Sequence, residues 1–141
     1  MGDIKNFMVA TPAAETRSII ISDRFKDKDG NPVPFVIKVL TQEENERLHK
    51  RASKPVKKNG VVVTETTDSE LYGKLLVLES VVEPNLRDAE LGKFYGTMDP
   101  LEVARKMLTA GEYGKLANAI SDLNGFSDIE VEVLEEEAKN L

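Results

Sequence analysis

The chain has 141 residues, room for one domain and hardly for two. With 40% hydrophobic and 31% charged residues it reads as an ordinary folded protein, not a disordered one. Nineteen lysines and arginines against 25 aspartates and glutamates give a net charge of -6, which argues against a strongly basic nucleic-acid-binding domain. Zero cysteines and one histidine exclude a disulfide framework, a cysteine zinc site, a thiol nucleophile and any site built on two histidines.

The charge is uneven. Residues 128–141 hold six acids and one lysine, a net of -5, whereas residues 1–127 hold 19 acids and 18 bases, a net of -1. The acidity belongs mainly to the tail. No apolar run approaches a membrane span, and the start MGDIKNFM lacks the apolar core of a signal peptide, so a reducing cytoplasm is the expected place.

In chain order, residues 1–16 read as a loose polar arm, or as a segment that orders only against a partner. A β-hairpin follows over 17–40. RSIIIS at 17–22 is β-branched, DKDGN at 27–31 has turn chemistry, and Val33, Phe35, Ile37 and Val39 alternate along the second strand. Thr41 and Glu44 form a capping-box signature for a helix over 42–52, a surface helix with only Leu48 and Ala52 to bury. SKPVKKNG at 53–60 reads as a loop before a short β-prone run, Val61 to Thr64. Asp68 caps a helix over 69–82 whose wide apolar face marks it as the centre of the core, and Pro84 ends it. Asp88 caps a short helix over 88–94. Asp99-Pro100 starts another over 100–108, which Gly111 stops, and a last helix runs over 112–124 to Gly125. The acidic tail 128–141 alternates at Ile129, Val131 and Val133, then turns to EEEAK; helix is the weakly preferred reading, held by a partner. The fold class is therefore α+β: a small N-terminal β-hairpin packed on a mainly helical domain of about five helices, residues 17–127.

Chemistry is scarce. DKDGN looks like a calcium loop, but aligning Gly30 leaves Phe25 and Val36 where oxygen ligands are required, so a hairpin turn is the better reading. His49 has no orienting partner or nucleophile near it in sequence and reads as a surface residue. The acids Asp68, Asp88 and Asp99 stand at helix starts, where capping accounts for them. Gly92-Lys93 and Gly114-Lys115 lack the preceding glycine of a phosphate-binding loop. The one charge run is basic: Arg47, Lys50, Arg51, Lys54, Lys57 and Lys58, with no acid among them. The first four share a helical face if the helix reaches that far. The run suits a solvated face, an acidic protein segment (the chain's own tail included) or nucleic acid, although the aromatic platforms of a single-stranded nucleic-acid groove are missing.

Three blocks carry a family resemblance: SDRFKDKDGNPVPFVIKVLTQEENERLHKRASK at 22–54, SELYGKLLVLESVVEPNLRDAELGKFYG at 69–96 and DPLEVARKMLTAGEYGKLANAISDLNGF at 99–126. Together they resemble the XkdN-like phage tail assembly chaperones over about residues 15–130. The resemblance implies a non-enzymatic protein without cofactor or metal, acting in the cytoplasm of a bacterial host. Its implied partners are the long tape measure protein and the tail tube protein; no membrane is involved, nucleic acid is disfavoured and self-association stays open. Candidate contact residues are the basic run 47–58, the segment 85–91 with Asn85, Leu86 and Arg87, and Glu112 and Tyr113. Tyr113 has the alternative of filling the helical core. A structural tail component, or a nucleic-acid-binding regulator using 47–58, are the competing readings.

Overall fold

The computed structural model describes residues 3–12 and 15–126. The expected conformation of the acidic tail 128–141 lies outside the described residues. Near the N-terminus, Asp3 caps a single 3-10 turn, Ile4–Phe7, which buries no side chain. Two antiparallel strands follow, β1 (Thr16–Ile19) and β2 (Phe35–Lys38), in the register Arg17 to Ile37 and Ile19 to Phe35. Between them Asp27 Oδ1 accepts hydrogen bonds from the N–H groups of Asp29 and Asn31, each at 2.9 Å, and Gly30 takes φ +81°. The resemblance to a calcium loop thus resolves into a turn whose carboxylate serves its own backbone. The paired strands are shorter than the β-branched runs, and Val33 is exposed, because Pro32 and Pro34 lack the N–H that a ladder requires.

Helix α1 (Gln42–Arg51) is set by the Thr41–Glu44 capping box, in which Glu44 N–H donates to Thr41 Oγ1 and Thr41 N–H donates to Glu44 Oε1. The hydrogen bond from the Thr41 backbone also holds the Glu44 carboxyl below the usual carboxylate range. The chain then forms a second antiparallel pair, β3 (Ser53–Lys58) and β4 (Val61–Thr67). Asn59 at φ 54° and Gly60 at φ 79° make the two-residue connection, both in the left-handed region that such a hairpin turn requires. Asp68 N–H donates to the Ala52 carbonyl at 2.7 Å, closing the base of this ribbon.

Helix α2 (Ser69–Ser80) is capped by Asp68 and packs against α1 and against two later helices. It ends at Ser80, short of the expected 82. Val81–Glu83 instead forms strand β5, antiparallel to β2, so the N-terminal hairpin becomes a three-stranded sheet of order β1-β2-β5. β-Branched Val81 and Val82 gain more from pairing with β2 than from another half turn of helix. Helices α3 (Ala89–Phe94) and α4 (Pro100–Met107) start at Asp88 and Asp99, whose carboxylates accept from the first-turn backbone. The last helix, α5 (Ala110–Asn124), begins two residues before the expected 112, and Gly111 lies inside it as no stop. Its start is fixed by a second capping box, Thr109 with Glu112. Two hydrogen bonds outweigh the modest cost of a glycine in a first turn. At its other end Gly125 caps in the left-handed conformation, and Asn124 Oδ1 accepts from Leu40 N–H at 2.7 Å.

The core sits between the three-stranded sheet and the helices. Ile37 from β2, Leu75 from α2, Val103 from α4, and Leu116 and Ile120 from α5 are each at most 1% exposed. Tyr72 stacks on His49 at 4.1 Å between ring centroids and donates its hydroxyl to Asn45, which fastens α2 to α1. His49 stays on the exposed side of this stack.

Candidate partner-binding surface

The basic run divides between two kinds of structure. Arg47, Lys50 and Arg51 lie on α1, whereas Lys54, Lys57 and Lys58 lie on β3. The continuous helical face through Lys54 and the loop at 53–60 are both corrected. The helix stops at Arg51 because the next residues pair with β4 across the Asn59-Gly60 turn: Lys54 opposite Thr66, Lys57 opposite Val62 and Lys58 opposite Val61. A bulge lies between Val56 and Lys57, which raises the local twist.

Every residue of β3 and β4 is exposed. Among the described residues the ribbon is two strands wide, and both of its outer edges carry backbone groups without a ladder partner there. It presents Val61, Val62 and Val63 at 64%, 54% and 58% exposure, with Val56 nearby. Lys54, Lys57 and Lys58 form no ion pair among the described residues. A two-stranded hairpin that buries nothing is marginal in water. The ribbon thus couples solvent-facing valines, free cations and open strand edges, three properties that suit an extended protein segment.

Other candidates come together elsewhere. Arg51 and Arg87 both reach Glu79 near the end of α2, Arg87 as a hydrogen-bonded pair and Arg51 at 3.9 Å. Asn85 Oδ1 accepts from Arg87 N–H, and the Asn85 carbonyl accepts from Asp88 N–H, so this residue shapes the turn into α3. Leu86 is 3% exposed and belongs to the core. Its apolar side chain finds the same burial as its neighbours on α2 and α4.

Glu112 is occupied within the chain. Besides the Thr109 box it takes a two-point ion pair from Arg24, with Arg24 Nε at 2.9 Å from Oε2 and the guanidinium NH2 at 2.7 Å from Oε1. The same guanidinium donates to the Met107 carbonyl and lies 4.4 Å over the Phe25 ring. Arg24 therefore ties the N-terminal hairpin to the junction of α4 and α5. The hydrogen bond from Arg24, helped by Ser22 and the Thr109 backbone, holds the Glu112 carboxyl far below its ordinary 4.5. A depressed carboxylate pKa adds stability above the unfolded value and loses it as pH falls towards the folded one. The stability advantage of the protein over Glu112→Gln is thus expected to be full above about pH 5 and to shrink steadily towards about pH 2. Thermal unfolding of both proteins across that range checks this; a constant difference would show that the ion pair has no part in it. Tyr113 is half-buried against the core, and burial raises its hydroxyl pKa.

Two apolar features were not singled out from sequence. Ile4, Phe7, Met8 and Val9 are all more than 70% exposed beside the N-terminal 3-10 turn. Phe94 and Met98 are 79% and 94% exposed, and Met98 edges a shallow depression lined also by Leu86, Gly92 and Val103. The ribbon had a legible signal in Asn59-Gly60. The exposure of the other two has none, because an apolar residue in sequence gives no sign of what will cover it. Among the described residues no group of three or more acids and histidines is placed to hold a metal ion, and no helix is long and apolar enough to cross a membrane.

Fold and surface together define a small α+β domain from which a basic, valine-bearing ribbon stands clear of the core. The chain belongs to the phage XkdN-like tail assembly chaperone family, whose model matches residues 4–139. It is 40% identical over 142 residues to the phage-like element PBSX protein XkdN of Bacillus subtilis strain 168, covering 98% of this chain and 94% of that protein. It is 41% identical to YqbN of the same organism, covering 98% and 93%. The crystal structure of YqbN matches with a TM-score of 0.70 at 33% identity, over 90% of this chain and 99% of that one. The resemblance drawn from the three sequence blocks is therefore correct.

Proposed function

We propose that this protein acts in the host cytoplasm as the chaperone of the tape measure protein, keeping that long chain soluble while tail tube subunits assemble around it. Family membership supports the class of activity. The observation that carries the site is the β3–β4 ribbon, which among the described residues is exposed at every position and open along both strand edges. An extended or partly folded client can add backbone hydrogen bonds to such an edge and rest apolar side chains on Val61, Val62 and Val63. Arg47 and Lys50 on the neighbouring helix α1 and the lysines of β3 favour a client segment rich in acids.

Co-expression with the tape measure protein of the same phage region tests the reading. The tape measure protein is expected to move into the soluble fraction and to co-purify with the chaperone. Equal insolubility with and without the chaperone, and no recovered complex, would overturn it. A second expectation locates the contact: Val62→Ser with Val63→Ser should weaken the complex about tenfold or more, a loss of about 1.4 kcal/mol. Because neither side chain belongs to the core, the melting temperature of the free protein should stay nearly unchanged. Full retention of binding by that variant would move the site off the ribbon.

A further inference from the structure

The N-terminal arm is an apolar element without an apolar setting. Asp3 holds its turn by accepting from Lys5 N–H at 3.0 Å. Ile4 and Phe7, three residues apart in a 3-10 turn, fall on the same side of it. Met8 and Val9 follow directly, and all four side chains face solvent. A capped turn that displays a row of apolar side chains has the form of a docking peptide.

The domain carries a matching surface. Beside α3, buried Leu86 and Val103 form the floor of the shallow depression, and Met98 stands exposed at its rim with Phe94 nearby. The charges also match. Glu90 and Lys93, three residues apart on α3, are exposed and form no ion pair among the described residues. The arm brings one charge of each sign, Asp3 and Lys5, on either side of Ile4.

The two surfaces of one chain stand apart. The arm leads into β1 and the depression follows β5 through Leu86, and these strands are the opposite edges of the three-stranded sheet, about 10 Å from each other. The arm accordingly buries no side chain against its own body. The area suits two copies. An apolar side chain of this size covers on the order of 100 Å². Four from each of two arms, with the surfaces they cover, come to about 1,600 Å², the size of an ordinary stable interface.

We propose that the arm, residues 3–9, docks on the Phe94–Met98 surface of a second copy, and that two copies exchange arms reciprocally. Phe7 and Met8 then lie on Met98 and Phe94, and Lys5 lies beside Glu90. The exchange stands whether or not the ribbon receives the tape measure protein.

The absence of cysteine from the chain allows a direct test on the isolated full-length protein, so a failure here is separate from a failure of the chaperone reading. Lys5→Cys mixed with Glu90→Cys is expected to form a disulfide-linked dimer about tenfold or more faster than Lys28→Cys mixed with Glu90→Cys, because docking raises the effective concentration of the two thiols. Adding Met98→Asp to the Glu90→Cys chain should remove the advantage. Met98 is 94% exposed, so the melting temperature should hold. Light scattering of the unaltered protein should rise from a monomer to a dimer mass with concentration, and Met98→Asp should keep it monomeric. Equal linking rates for the two mixtures, or a monomer mass throughout, would overturn the exchange. A chain carrying both cysteines that closes within itself and stays monomeric would overturn it in favour of the arm folding back on its own body.

Discussion

Replacing Leu75 with alanine is expected to destabilise the protein by about 2–5 kcal/mol. Leu75 lies on α2, the helix that touches α1, α4, α5 and the sheet, and it is 1% exposed. Truncation removes three carbons from a site whose neighbours come from several elements. The walls of the resulting cavity cannot collapse without moving all of them. Set against a typical total of about 5–15 kcal/mol, the loss takes a large share of the stability. Urea unfolding should show a lower midpoint with an unchanged slope, since the surface exposed on unfolding hardly alters. Val82→Ala is the matched comparison: Val82 is 43% exposed and should cost about 1 kcal/mol or less. If both substitutions cost the same, α2 is not the centre of the core.

Two helical glycines are expected to respond to alanine with opposite signs. Gly73, on α2, has nothing within 4 Å of the position a Cβ would take, so Gly73→Ala should stabilise the helix by about 0.5–1 kcal/mol. Gly92, on α3, is buried, and a Cβ there would lie 2.7 Å from the Thr97 carbonyl oxygen. That contact is with backbone, and the same stretch is pinned by a hydrogen bond from Thr97 N–H to the Gly92 carbonyl at 2.9 Å. Neither side can yield by a rotamer change. The turn after α3 has to move and the bond has to lengthen. Overpacking of this kind costs about 1–3 kcal/mol and outweighs the gain in helix propensity. Unfolding of the two variants side by side decides the matter; if Gly92→Ala is as stable as Gly73→Ala, the close approach of α3 to Thr97 is not a constraint.

What could be read from sequence was mostly what depends on a few adjacent residues. Thr41 with Glu44, Asp68, Asp88 and Asp99-Pro100 mark helix starts because caps are local chemistry. The second capping box, Thr109 with Glu112, is as local, but Gly111 between them drew the reading towards a stop. Strand β5 was hidden for a different reason. Val81–Glu83 continues an apolar helical pattern and becomes a strand only because β2, more than 40 residues earlier, supplies its partner. Strand β3 was obscured by Pro55 and its lysines, while Asn59-Gly60 held the information that it turns back on a β-prone run. The candidate surface was half legible. The basic residues were visible, but their division between a helix and a ribbon was not. Leu86 and Glu112, both polar-segment neighbours in sequence, turn out to serve the core and an internal ion pair.

The single hydrogen bond between Ala52 and Asp68 has a bearing on how such a protein diverges. The chain leaves the domain and returns to it at one point, so the 15 residues from Ser53 to Thr67 form a cassette. They can lengthen, shorten or change sequence while Leu48, Tyr72 and the rest of the core keep their neighbours. With the ribbon as the client site proposed above, substitutions in the cassette are filtered mainly by recognition, and those in the core mainly by folding. A lineage can therefore retune what its chaperone grips without passing through unstable intermediates, and the same junction offers a place to graft a foreign ribbon.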